Sequence, residues 1–139
     1  MKKLVILLFI IFYISTISAI NLEVNAKPES DSYIIELDKP AVFNLTIKNL
    51  AESDKFEIYS LVCIDIYHEP IEIASNETKI VKIELKPQDS LKSDQFPYTF
   101  EYKIKNSKNE IQKETLSINI AKLESAFSII PEPIYPNSK

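Results

Sequence analysis

Apolar and polar residues alternate one by one through most of this chain. From Val42 to Asn49, Phe43, Leu45 and Ile47 alternate with Asn44, Thr46 and Lys48. From Lys79 to Lys86, Val81, Ile83 and Leu85 alternate with Lys82, Glu84 and Lys86. Tyr98, Phe100, Tyr102 and Ile104 alternate with Thr99, Glu101, Lys103 and Lys105, and Leu116, Ile118 and Ile120 with Thr115, Ser117 and Asn119. A period of two is that of a strand with one buried face. These four segments predict antiparallel sheets with Phe43, Leu45, Ile47, Val81, Ile83, Leu85, Tyr102 and Ile118 in the core.

Weaker patterns fill the gaps. Leu22 and Val24 start the domain, and Tyr33 to Leu37 reads as a second short strand. Phe56 to Val62 reads as a strand with Phe56, Ile58 and Val62 on one face, Tyr59 and Leu61 on the other. Ile64 to Tyr67 and Ile71 to Ile73 are short and flank Pro70, which cannot donate to a ladder and marks an edge or a bend. Turn signals fall at Asp38-Lys39-Pro40, Asn49 to Lys55, Ser75 to Thr78, Pro87 to Pro97 and Asn106 to Asn109. In the last of these, Asn stands where glycine would supply a positive φ. The expected fold is all-β, an immunoglobulin-like antiparallel β-sandwich of about seven strands.

The two ends of the chain have a different pattern. Lys2 and Lys3 precede the unbroken apolar run Leu4 to Ile14, and Ser15-Thr16-Ile17-Ser18-Ala19 closes it. This is the layout of a secretory signal peptide over residues 1–19, cut after Ser18 or Ala19. The alternative is a retained anchor over residues 4–20, since a spanning helix takes about 20 apolar residues. Both readings export the domain, residues 20–124, to a secreted or cell-surface location. Residues 125–139 carry Pro131, Pro133 and Pro136 among Ile129, Ile130, Ile134 and Tyr135, the composition of an extended tail or linker.

Composition narrows the chemistry. Glycine, tryptophan and arginine are missing from all 139 residues. Without glycine no phosphate-cradling loop or glycine-based nucleophile elbow exists. Without arginine there is no bidentate clamp for carboxylate or phosphate. Once Lys2 and Lys3 leave with the leader, 14 lysines face 20 acidic residues, a net charge of −6, which does not suit nucleic acid. The one cysteine, Cys63, allows no internal disulfide and reads as a small apolar residue.

The spacing of Tyr33-x-Ile35, of Ala41-x-Phe43-x-Leu45-x-Ile47-x-Asn49 and of Asp54-x-Phe56-x-Ile58 resembles the opening of immunoglobulin-like domains of archaeal and bacterial surface proteins, the CARDB-like or NEW3-like modules. Thr78 to Pro87 and Tyr98-Thr99-Phe100 continue the resemblance, which spans about residues 21–121. The turns that carry glycine in those families hold Asp38-Lys39-Pro40, Asn76-Glu77-Thr78 and Gln95-Phe96-Pro97 here. The resemblance implies an extracellular structural or adhesive module with no catalytic residues.

Few residues suggest chemistry of their own. His68, the single histidine, has no metal-ligand spacing around it and reads as an exposed bend residue. Glu29/Asp31 and Glu52/Asp54 read as solvated loop charges, so neither a metal nor another cofactor is expected. Asn44-Leu45-Thr46 and Asn76-Glu77-Thr78 are glycosylation sequons. Tyr59 and Leu61, projecting from one strand face beside mixed charge, are the candidate partner-binding residues. The expected activity is non-enzymatic binding of another exported protein or a surface glycan. The alternative is a secreted inhibitor or chaperone-like protein acting on an exported client.

Overall fold

Among the described residues, alternation becomes nine strands in two sheets, two more than the seven or so expected. The computed structural model describes residues 20–91 and 95–126. Its strands are β1 (Leu22–Ser30), β2 (Ser32–Ile34), β3 (Ala41–Asn49), β4 (Asp54–Ser60), β5 (Ile64–Tyr67), β6 (Ile71–Ile73), β7 (Thr78–Pro87), β8 (Gln95–Asn106) and β9 (Ile111–Ala121). One sheet has the order β1-β3-β7-β5, the other β2-β9-β8-β4-β6. The strand pairs are antiparallel except β2 with β9, which run parallel. This is the expected all-β sandwich. The expected leader, residues 1–19, and residues 127–139 of the expected tail lie outside the described residues. The short helix Leu123–Ala126 runs across the expected domain boundary at residues 124 and 125.

The parity read from the sequence holds in all four clear strands. Phe43, Leu45, Ile47, Val81, Ile83, Leu85, Tyr102 and Ile118 are all buried, and Phe56, Ile58, Ile104 and Ile120 join them. Burying each such side chain contributes about 1.5–3 kcal/mol. Tyr33 is also fully buried; its hydroxyl reaches out of the core to donate to Asp38 Oδ1 at 2.6 Å.

Three stretches differ from expectation. Tyr33 to Leu37 is not one strand: β2 ends at Ile34, and Ile35–Leu37 form a 3-10 turn closed by Asp38 in the left-handed region. The strand after Asp54 ends at Ser60, because the Ser60 hydroxyl accepts the Val62 amide at 3.2 Å and turns the chain. Val62 therefore does not reach the core; it is exposed. The long link after Pro87 is shorter than expected, since β8 already starts at Gln95.

Positive φ falls on Asp38, Asn76 and Asn109, each in a turn marked by composition. Asparagine and aspartate tolerate this region better than other residues with a Cβ, which lets a chain without glycine make its turns.

Every connection from β1 to β8 crosses from one sheet to the other, and two of these crossings join edge strands along the sides of the sandwich. At Asp31 it passes from β1 in the first sheet to β2 in the second. At His68-Glu69-Pro70 it passes from β5, on the edge of the first sheet, to β6, on the edge of the second. Side chains then stitch the gaps. On one side the Gln112 amide of β9 acts as a strand surrogate: it accepts from Leu22 N at 3.1 Å and donates to Leu22 O at 2.9 Å. On the other, His68 Nε2 accepts from Ile58 N at 3.1 Å, beyond the point where β6 stops pairing with β4.

Candidate functional site

The strand registers set two poles. Leu22 lies opposite Asn49, and Lys48 opposite Thr78, so the start of β1, the β3–β4 loop and the β6–β7 turn share one pole. The β8–β9 turn joins them there, since Asn106 pairs with Phe56. Ala41 lies opposite Leu85, Ile64 opposite Pro87 and Ser60 opposite Tyr102. The β2–β3, β4–β5 and β7–β8 loops therefore meet at the other pole, together with Leu123–Ala126.

Asn49 and Asn106 build the first pole. Asn49 is fully buried; its Nδ2 donates to Glu52 O at 2.7 Å and Ile73 O at 3.0 Å, and its Oδ1 accepts from Ala51 N at 3.0 Å. Its backbone also receives Asn76 N at 2.8 Å and donates to Glu77 O at 3.0 Å. Asn106 Oδ1 accepts from Lys108 N and Glu110 N at 3.1 and 2.9 Å. Such local amide bonds replace the ladder where strands end. Asp54 sits beside them. Partial burial pushes its carboxyl up, but hydrogen bonds from Ser107 and the Lys55 amide outweigh this and hold it below its ordinary value. Composition alone did not mark Asn106 for this role.

The second pole carries apolar side chains on a polar frame. Leu37, Leu61, Val62 and Leu123 are all exposed there, with Leu61 at 73%. Local bonds tie the segments that carry them. Leu123 N donates to Glu36 Oε2 at 2.7 Å, and Lys86 pairs with Asp38. Gln88 N donates to Cys63 O at 2.9 Å, and Gln88 Nε2 to Asp65 Oδ1 at 2.9 Å. Cys63 is half-buried in this frame. A tied polar frame holds four leucine or valine side chains in water, where each loses the benefit of burial.

Tyr59 and Leu61 are placed differently from one another. Tyr59 lies half-buried on the outer face of β4, opposite Lys103 of β8. Around it the face is charge-paired, with Lys105 to Glu57 at 2.9 Å and Lys113 to Glu101 at 3.3 Å. The hydrogen bond and charge of Lys105 hold the Glu57 carboxyl below its ordinary value, and Glu57 in turn raises Lys105. Leu61 is not beside Tyr59 on that face, because β4 stops at Ser60 and Leu61 belongs to the pole.

Tyr59 and His68 line an open groove with Glu57, Pro70 and Lys105. His68 is not the exposed bend residue expected from the sequence: it is half-buried and structural. Burial pushes its imidazole below the ordinary value, with the Glu69 backbone pulling weakly the other way.

The carboxylate pairs do not converge. Glu29 pairs with Lys82 at 3.0 Å and Asp31 accepts from Ser32 Oγ at 2.9 Å near one pole, while Glu52 pairs with Lys108 at 3.6 Å at the other. Among the described residues no three His, Cys, Asp or Glu side chains gather where a metal ion could sit.

No family model matches the chain, and no curated protein does. Among solved structures the fold is similar to a FixG-related protein from Vibrio parahaemolyticus, with a TM-score of 0.52, 11% identity, and coverage of 73% of this chain and 96% of that one. At that identity the likeness concerns the fold. A β-glucosidase from Listeria innocua matches at a TM-score of 0.37 and 13% identity over 70% of this chain, which spans 16% of the length of that enzyme.

Proposed function

We propose that this protein is an exported, non-catalytic immunoglobulin-like module of the CARDB-like kind that binds another envelope protein or a surface glycan. The observation that carries the reading is the apolar pole, where Leu37, Leu61, Val62 and Leu123 stand exposed on a hydrogen-bonded frame. Exposed apolar side chains at one pole, set among polar groups, have the composition of an interface core and its rim. Leucine side chains favour a protein partner over a glycan. Tyr59, on the adjoining face, supplies an aromatic group of the kind that anchors interfaces. The charge-paired outer face around Tyr59 suits a rim, since exposed ion pairs add little affinity.

The alternative, an inhibitor or chaperone-like protein that captures a client strand, draws on β7. That strand pairs with β5 only over Glu84–Pro87, so Thr78 to Ile83 lack β5 as a neighbour. Lys79 and Lys82 lie along this stretch, and lysines on an edge discourage strand addition.

The test is capture of cross-linked partners from the protein's own cells, followed by binding measurements with the partner recovered. Leu61→Asp is expected to weaken binding at least tenfold while the domain stays folded. Tyr59→Ala is expected to weaken it less, and Ile80→Asp on β7 not at all. Unchanged affinity in the Leu61→Asp, Tyr59→Ala double variant sinks the polar-frame interface. Loss confined to Ile80→Asp moves the site to the β7 edge.

A further inference from the structure

We infer that Asn76 is a glycan acceptor of the folded domain and that Asn44, the other sequon asparagine, is not. The inference rests on the export reading, because lipid-linked sugar donors are met outside the cytoplasm.

The two sequons have the same residue types and opposite surroundings. Asn44 lies in the middle of β3, which is flanked on both sides. It faces Lys27 of β1 and Lys82 of β7 across the ladders, and Lys82 is held by Glu29. Asn44 and Thr46 are half-buried in that sheet. An oligosaccharide-transferring enzyme must bend Asn-x-Thr around its active site. For Asn44 this means unzipping β3 from two neighbours at once.

Asn76 needs far less: only the end of one ladder holds its sequon, where Thr78 lies opposite Lys48 and Glu77 O accepts from Asn49 N at 3.0 Å. Asn76 is exposed at the tip of the β6–β7 turn, with φ of 58°, and Thr78 at the first position of β7 is exposed too. Its side-chain Nδ2 donates a long 3.4 Å bond to Ser75 Oγ, which is easily exchanged for contacts in an enzyme. What holds the turn is backbone: Asn76 N to Asn49 O at 2.8 Å and Glu77 N to Ala74 O at 3.1 Å. The turn therefore presents the amide nitrogen outward from a fixed base.

The chemistry is a substitution at sugar carbon. The Asn76 Nδ2 forms a bond to C1 of the transferred sugar. The bond from C1 to the phosphate oxygen of a lipid-linked oligosaccharide breaks, and its electron pair leaves with the lipid phosphate. The amide nitrogen loses one proton to a base of the transferring enzyme. No electron is gained or lost. The product sits at the pole opposite Leu61, so a bulky, hydrated glycan leaves the apolar pole open.

The experiment has two arms. In the first, the folded full chain, made in a host without N-glycosylation, is incubated with a purified oligosaccharyltransferase and its lipid-linked oligosaccharide. Intact mass is expected to rise by one glycan. Asn44→Gln should retain the gain and Asn76→Gln should lose it. No gain, or a gain that survives Asn76→Gln, overturns the inference. In the second arm, the chain is isolated from its own cells and its peptides are mapped by mass spectrometry. A glycopeptide containing Asn76 supports the inference, and an exported chain unmodified at Asn76 overturns it. A chain retained in the cytoplasm overturns the export reading instead, and the first arm then decides the acceptor.

Discussion

The Nε2 of His68 accepts the backbone amide of Ile58 at 3.1 Å, so a single imidazole closes the gap left where the chain crosses from one sheet edge to the other. Only the neutral ring can accept there. Groups facing it are Glu57 and Tyr59 from β4, Lys105 from β8, Lys79 and Lys82 from β7, and Glu69 from its own connection.

Stability should consequently fall with mild acid. Burial holds the imidazole below its ordinary value of 6.5 in the fold, so the unfolded chain takes up its proton first. The contribution is present in full above the unfolded value. It falls as pH drops from there toward the folded value, and levels off below it. Denaturation midpoints of the wild type and His68→Gln, compared between about pH 8 and pH 5, should diverge at the acid end. Glutamine still offers an acceptor but does not titrate here. Parallel curves would show that protonation of His68 is not coupled to folding.

Asn49→Ala should destabilise the first pole well beyond an ordinary surface change. It strips donors from Glu52 O and Ile73 O and an acceptor from Ala51 N. A buried group left without its partner costs about 1–3 kcal/mol. Urea denaturation is expected to show a loss at or above about 2 kcal/mol. Amide exchange should speed up first at Ala51, whose N–H loses its acceptor, and at Asn76, whose N–H donates to Asn49 O. Uniform exchange across all turns would argue against a local role.

Ile47 and Ile83 are fully buried on the two central strands of one sheet. Ile47→Ala and Ile83→Ala should each cost about 2–5 kcal/mol. Exposed Ile80, on the same strand as Ile83, is the control: Ile80→Ala should shift the thermal midpoint far less. Equal shifts for Ile80 and Ile83 would mean that β7 presents its faces the other way round.

Much of this architecture was legible from period alone. Phe43, Leu45 and Ile47 face inward because a strand in a sandwich has one dry side, and their polar neighbours record the other. Turn chemistry was legible at Asn109, where asparagine takes the positive φ. Leu61 was misplaced because alternation was followed past Ser60. A side-chain hydroxyl ended the strand there, and alternation does not register such an event. The tertiary roles of His68, read as an exposed bend residue, and of Gln112 were illegible for a different reason. Each bonds a backbone group distant in sequence, Ile58 N or Leu22 N and O, and a lone polar residue carries no periodic mark of a tertiary partner. The sheet changes at Asp31 and at His68-Glu69-Pro70 were equally hidden, since composition marks a break in a strand but not the sheet joined afterwards.

The turns at Asn76 and Asn109 also bear on how the protein ages. Asparagine deamidates when the next backbone nitrogen attacks its side-chain carbonyl carbon and closes a succinimide ring, a reaction fastest when glycine follows. Here glutamate follows in both cases, and neither following nitrogen is idle. Glu77 N donates to Ala74 O at 3.1 Å and Glu110 N to Asn106 Oδ1 at 2.9 Å. A chain that makes its turns with asparagine and no glycine thus keeps the left-handed geometry without the Asn-Gly step that ordinarily acts as a molecular clock. Its charge pattern at these two tips should outlast that of a sandwich whose hairpins are closed by Asn-Gly.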